Sequence, residues 1–160
     1  MKIAVTSDSH GSKDRLEKLL TELDREGIHY LIHAGDFAVY GVEEVLAKHP
    51  HIETYIALGN ADVNTEVLDQ ISSLSHCHLD IVVSLTLQGV TIAASHIEGV
   101  AENELKDKAH IFIHGHTHRL TERIEKNKII LNPGSLMEHP SYIVLTLPDM
   151  KLESRILKVG

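Results

Sequence analysis

Seven side chains of metal-binding type stand in five short segments of this chain. Asp8 and His10 lie in "SDSH", Asp36 in "HAGD", Asn60 in "LGNAD", His96 after "AAS", and His116 and His118 in "HGHTH". Carboxylate oxygen, amide oxygen and imidazole nitrogen without thiolate make a borderline-hard donor set. It suits Mn²⁺, Fe, Ni²⁺, Zn²⁺ or Co²⁺ better than a structural zinc site, which usually draws on cysteine. Seven donors exceed the needs of one tetrahedral ion. They fit two ions about 3.5–4 Å apart that share one carboxylate. Asp8 and His10 are two residues apart, as are His116 and His118, so in extended chain each pair points one way. Glycines precede Asp36, Asn60 and His116. Glycine tolerates the sharp turn that aims the next side chain off a strand end.

The elements that must position these donors follow from the apolar pattern. "KIAVTS" (2–7), 29–35 and "ETYIAL" (53–58) read as strands. Between the first two, Leu16, Leu19, Leu20 and Leu23 share one helical face, with Ser12 placed to cap and Gly27 to stop. Val42, Val45 and Leu46 mark a short helix ended by Pro50. The order β-α-β-α-β predicts parallel pairing with helical crossovers. In such sheets the strand C-terminal ends meet at one edge, where ligands bind. Farther on, 80–87 and 90–95 flank Gln88-Gly89 as a hairpin, a helix covers 100–108, and 110–114 is a strand. Strands at 119–125 and 128–132 turn at Lys126-Asn127, and strands at 141–147 and 151–159 turn at Pro148-Asp149. Parallel units followed by hairpins predict an α/β fold of two packed sheets with helices outside.

With 160 residues, 42% apolar and 24% charged, the chain is long enough to bury a core and reads as one globular domain over 1–160. No apolar run approaches the ~20 residues of a membrane span, so no membrane partner is expected. The net charge of −8 disfavours nucleic acid as main partner. Cys77 is the one cysteine, so no intrachain disulfide can form, and a cytoplasmic location is the default. The C-terminal hairpins leave an edge that a homo-oligomer could use.

"DSH" at 8–10, "GD" at 35–36, "GNAD" at 59–62, His96, "GHTH" at 115–118 and "NPGS" at 132–135 occur in this order. Together they resemble the calcineurin-like metallophosphoesterase superfamily, especially its small single-domain prokaryotic phosphodiesterases. The resemblance spans nearly the whole chain. It implies a four-layer α/β/β/α sandwich, two packed mixed sheets flanked by helices. It implies that Asp8, His10 and His118 hold one divalent ion, that Asn60, His96 and His116 hold another, and that Asp36 bridges them. Manganese is the first expectation, with nickel, zinc, iron or cobalt as alternatives. The implied reaction is hydrolysis of a small phosphate ester by in-line attack of a hydroxide shared by the metals. Asp36 and the Asn60 amide are its catalytic side chains. Two divalent ions against Asp8, Asp36 and hydroxide leave about one positive charge for the phosphate.

Two residues depart from that pattern. Relatives with phosphatase activity carry a proton-donating histidine after the asparagine, and the small phosphodiesterases usually carry cysteine; here the residue is Ala61. The absence of an obvious general acid predicts a preference for good leaving groups, such as aryl phosphodiesters. Ile97 stands where glycine usually follows the ligand histidine, and its bulk could displace His96. The alternatives are a phosphomonoesterase of the same fold and a non-catalytic interaction module, as in a retromer subunit that shares the fold but has lost part of the ligand set. Here every donor position keeps a competent side chain, which favours an enzyme. A metallo-β-lactamase pattern fails, because His118 and Arg119 stand where Asp and His are required. His29, His49, His51, His78, His110 and His139 are expected at the surface. His33 and His114 are expected behind the ligands, and Cys77 buried and inert. Asp62 is placed to cap the next helix or to support the ligands. "NPGS" is placed as a turn that walls the site, and Arg119 as the nearest basic group.

Overall fold

The computed structural model describes residues 1–37 and 39–159. The first half contains β1 (Lys2–Thr6), α1 (Lys13–Glu26), β2 (Tyr30–His33), α2 (Val42–Ala47), β3 (Glu53–Ala57), α3 (Thr65–Ser72) and β4 (Cys77–Asp80). The second contains β5 (Val82–Leu87), β6 (Val90–Ser95), α4 (Val100–Leu105), β7 (Ile111–Ile113), β8 (Leu120–Glu125), β9 (Lys128–Pro133), β10 (Ser141–Thr146) and β11 (Lys151–Ile156).

Two mixed sheets result, ordered β11-β10-β1-β2-β3-β4 and β5-β6-β7-β9-β8. β1 to β4 run parallel; β10 pairs antiparallel with β1, and β11 antiparallel with β10. β6, β7 and β9 are parallel and flanked by antiparallel β5 and β8. Alternation along each strand builds the layers. Ala4, Leu31, Ile56 and Val144 face one way, onto Leu16, Leu19, Leu20 and Leu23 of α1 and onto α2 and α3. Each of those buried leucines contributes about 1.5–3 kcal/mol of transfer free energy. Ile3, Val5, Ile32, Ala57 and Ile143 face the other way and pack on Leu85, Ile92, Ile111, Ile113 and Leu131 of the second sheet. Ala93, Phe112 and Ile130 turn outward under Ala101 of α4. The stack is helix, sheet, sheet, helix, as the pattern of strands and helices predicts. Both inner turns have the positive φ pairs that two-residue hairpins favour: Gln88 and Gly89, and Lys126 and Asn127.

Three local expectations fail. The run 80–87 is not one strand. β4 ends at Asp80 and pairs with β3, whereas β5 starts at Val82 and pairs with β6 in the other sheet. "CHLD" carries no apolar run, because an edge strand buries only one face: Cys77 is buried and Leu79 half-buried, while His78 and Asp80 are exposed. Ser12 stands at the start of α1, but its side chain accepts no capping hydrogen bond. His49 is buried rather than exposed, because Asp24 of α1 sits 2.6 Å from its Nδ1.

Candidate metal centre

Five strand ends deliver the donors. β1 runs into Asp8 and His10, β2 into Asp36, β3 into Asn60, β6 into His96 and β7 into His116 and His118. Register levels these ends: Thr6 lies opposite His33, His33 opposite Ile56, and Ala94 opposite Ile113. Asp8, His10, Asp36, His116 and His118 all have left-handed backbones, with φ from 42° to 68°. Such conformations cost of order 1–3 kcal/mol each outside glycine and persist only where surrounding structure over-determines them. The chain therefore folds back at each donor instead of continuing its strand.

Each carboxylate is held by one oxygen and presents the other. Asp8 Oδ2 accepts from Ser7 Oγ (2.5 Å) and from the His116 N–H (3.0 Å). Its buried Oδ1 accepts no hydrogen bond and lies 3.2 Å from His118 Nε2 and 3.6 Å from His10 Nε2. Asp36 Oδ1 accepts from the Ala61 N–H (2.9 Å). Its Oδ2 lies between His96 Nε2 (3.2 Å) and His10 Nε2 (3.7 Å). No lysine or arginine pairs with either carboxylate among the described residues.

Two of the imidazoles are anchored through Nδ1 and turn Nε2 inward. His96 Nδ1 is 2.7 Å from the Ala34 carbonyl, which can only accept, so Nδ1 carries the proton. Nε2 then faces Asn60 Oδ1 at 3.0 Å and Asp36 Oδ2. His118 repeats the arrangement. Its Nδ1 donates to Glu138 Oε1 at 2.8 Å, and its Nε2 faces Asp8 Oδ1 and, at 3.2 Å, His10 Nε2. Lone pairs directed at one another are unfavourable unless a cation or proton lies between them. The His118 pKa is accordingly raised. Partial burial pulls it down, but the Glu138 hydrogen bond and the Asp8 charge outweigh that. The His116 ring packs edge-on against His96, with centroids 5.1 Å apart. Two groups are close enough to hold an ion: Asp8, His10 and His118, and Asp8, Asp36 and His96. Orphaned buried oxygen, inward ring nitrogens and an oxygen-nitrogen donor set all fit divalent cations.

Buried polar residues support the cluster from behind. Asp62 accepts from the backbone N–H groups of Asp36 (2.8 Å), Phe37 (2.7 Å) and Gly59 (2.7 Å), locking two donor loops together. Asn64, not Asp62, caps α3 by accepting from the Val67 N–H. Asn132 Nδ2 donates to the Gly115 carbonyl (2.8 Å) and to Thr117 Oγ1 (3.0 Å), so "NPGS" braces the histidine loop. His33 accepts from the Gly35 N–H (3.1 Å), so its other nitrogen donates to Ser9 Oγ at 2.9 Å. Burial pushes its pKa down to about 4, against the opposing charges of Asp62 and Asp8. The folded protein thus keeps His33 neutral where the unfolded chain, titrating near 6.5, takes a proton. The stability this confers is complete above pH ~6.5 and is lost as pH falls toward 4, roughly 3 kcal/mol in all. Urea midpoints of metal-free protein should therefore drop from pH 7 to pH 5, and His33→Gln should flatten that drop. An unchanged slope in the variant would assign the acid sensitivity elsewhere.

The sequence profile of the calcineurin-like phosphoesterase superfamily domain matches residues 1–150. This chain belongs to that family. Among calcineurin-like phosphoesterases it is 28% identical over 155 residues to the probable metallophosphoesterase YsnB of Bacillus subtilis strain 168, covering 93% of this chain and 86% of that protein. The structure of an archaeal phosphodiesterase superposes with a TM-score of 0.82 at 21% identity, over 98% of this chain and 100% of that one. Vps29 of Entamoeba histolytica in complex with Zn²⁺ superposes with a TM-score of 0.68 at 16% identity, over 99% of this chain and 100% of that one. These structures share the calcineurin-like fold.

Within this calcineurin-like fold, Asp8, His10, Asp36, His96 and His118 fall in the two close groups, Asn60 touches His96, and His116 comes near only by its ring against His96. Ile97 does not displace His96: it is 42% exposed, while the His96 ring is buried and anchored. Cys77 is buried, with its thiol pushed up to about 12 by burial, so it stays protonated and inert at neutral pH. Two supporting residues, Ser7 and Glu138, escape the sequence reading, and Ser135 reads there only as part of the "NPGS" turn. The two serines hold the Asp8 segment. Glu138 lies in an irregular loop after "NPGS", with nothing in its neighbours to mark it.

Proposed function

We propose that this chain is a phosphodiesterase that works with two divalent cations, manganese first among them. The observation that carries this reading is the arrangement of His96 and His118. Each is fixed through Nδ1, and each turns its Nε2 onto a buried carboxylate oxygen. On this reading Asp8, His10 and His118 hold one ion, and Asn60, His96 and His116 hold the other. Asp36 Oδ2, within 3.7 Å of both His10 and His96, bridges them. Bound cations would offset the carboxylate charge, attract a phosphate and bring the pKa of water to about 7.

The remaining tasks fall to the chain. Asn60 is exposed, with Oδ1 turned to His96, which leaves its NH₂ to donate to a phosphate oxygen. Roomier depressions flank α1 but bring no such donors together. Beside the cluster, a small recess is lined by His10, Asp36, Phe37, Val39, Ala61 and Asp62. Phe37, Val39 and Ala61 have no proton to give, and the Asp62 carboxylate is taken up by three backbone N–H groups, so on this reading the leaving group departs unaided or with help from water. This supports aryl phosphodiesters over alkyl ones. No arginine or lysine enters the cluster to meet the second charge of a monoester, and the Arg119 guanidinium, unpaired among the described residues, stands outside it. The absence of a disulfide partner for Cys77 supports a cytoplasmic setting.

The test uses metal-stripped protein assayed on aryl phosphodiester, alkyl phosphodiester and aryl phosphomonoester panels, with Mn²⁺, Ni²⁺, Zn²⁺ and Mg²⁺ returned in turn. The expected result is metal-dependent turnover of aryl diesters well above the other two. Equal turnover of alkyl and aryl esters would refute the leaving-group argument. Binding of metal without any hydrolysis would favour an interaction module on this fold.

A further inference from the structure

We infer that Glu138 is a positioning residue for one of the two cation sites, setting the tautomer of His118 and the affinity of the position built from Asp8, His10 and His118. The inference rests on the two-cation reading above. Four groups close a ring around this position. Asp8 Oδ1 lies 3.2 Å from His118 Nε2, and His118 Nδ1 donates to Glu138 Oε1 at 2.8 Å. The Glu138 N–H donates to Ser135 Oγ at 3.1 Å, and Ser135 Oγ donates to the Asp8 carbonyl at 3.0 Å. The loop that carries Glu138 is thus tied to the ligand loop by its backbone and to the ligand imidazole by its side chain.

The two sites differ here. His96 is backed by the Ala34 carbonyl, a neutral acceptor. His118 is backed by a full carboxylate. An anionic partner on the remote nitrogen fixes the proton there and makes the inward nitrogen a stronger donor to a cation. Glu138 is half exposed at its side chain, so its removal does not threaten the core.

Metal-free parent, Glu138→Ala and Glu138→Gln proteins are titrated calorimetrically with Mn²⁺. The parent should bind two ions. Glu138→Ala should lose about 10–100-fold in affinity for one of them and keep the other. Glu138→Gln should fall between, because its amide oxygen still accepts from Nδ1 but carries no charge. In parallel, nitrogen-resolved NMR of the metal-free proteins reads the His118 tautomer directly. The parent should hold the proton on Nδ1, and Glu138→Ala should release that preference. Unaltered affinity at both positions, or an equal loss at both, would overturn the inference. If the parent binds no Mn²⁺, the two-cation reading fails by itself, and an unmoved tautomer in Glu138→Ala then overturns the positioning role separately.

Discussion

Asp36→Asn is expected to cut phosphodiester hydrolysis by about 10³-fold or more while leaving the metal-free protein at least as stable as the parent. The two halves of this expectation have one cause. Asp36 and Asp8 are both buried, both lie within one 4.8 Å group with His96, and neither has a lysine or arginine partner. Like charges held that close raise the free energy of the empty site. An asparagine of the same shape keeps an oxygen for the Ala61 N–H, as Asp36 Oδ1 has now, so the turn at 59–62 stays in place. It removes the charge and hence the repulsion. It also removes the anion placed to serve both cations. Metal assistance to phosphoryl transfer is worth several kcal/mol, and each 1.36 kcal/mol is a decade in rate, which sets the size of the loss. The measurements are kcat/KM with saturating Mn²⁺ and thermal melts with and without chelator. The parent should be stabilised by Mn²⁺ much more than the variant. A variant that keeps parental activity would remove Asp36 from the chemistry.

The candidate residues were legible in the sequence because they stand at strand ends. Each donor follows a short, continuous apolar run, and parallel sheets gather C-terminal ends by geometry alone. Asp8, Asp36 and His96 could therefore be named from local pattern plus topology. What pattern could not show is pairing across loops. His118 and Glu138 are 20 residues apart, joined only because two irregular segments fold over the same sheet edge. The change of sheet at Ile81 is hidden for a similar reason. "DIVVSLTL" reads as continuous β-propensity, and only the pairing partners, β3 on one side and β6 on the other, divide it. His49 was misplaced because its neighbours are polar, while its actual environment is set by Asp24 on a different helix. Left-handed backbone at five donors was likewise not readable. Aspartate and histidine adopt it only when the surrounding contacts pay for it, as the hydrogen bonds to Asp8, Asp36 and the His116 amide do here.

Gly115→Ala should be the second most damaging change, and it acts without touching a donor. A Cβ at this position would overlap Ser7 Oγ, approach Asp8 Oδ2 to 2.7 Å and the Ala34 carbonyl to 2.9 Å. Those atoms are not free to retreat. Ser7 Oγ and the His116 N–H hold Asp8 Oδ2, and the Ala34 carbonyl fixes His96. Gly115 itself is pinned: its N–H donates to the His96 carbonyl at 3.0 Å, and its own carbonyl accepts from Asn132. The methyl must therefore push the 115–118 loop and the Asp8 segment apart. Overpacking of this kind costs about 1–3 kcal/mol. A displacement near 1 Å at a reacting centre costs about 10²-fold in rate, so the loss of activity should exceed what the lost stability explains. Gly89→Ala is the control. Gly89 turns the β5–β6 hairpin, with φ at +78°, and nothing lies within 4 Å of an added Cβ. It should lose stability through backbone strain alone, by about 1 kcal/mol, and keep full activity. Urea midpoints and kcat/KM for both variants separate the two effects. Parental activity in Gly115→Ala would mean that the close seating of the histidine loop on Asp8 is irrelevant to catalysis, and the proposed centre would lose its geometric basis.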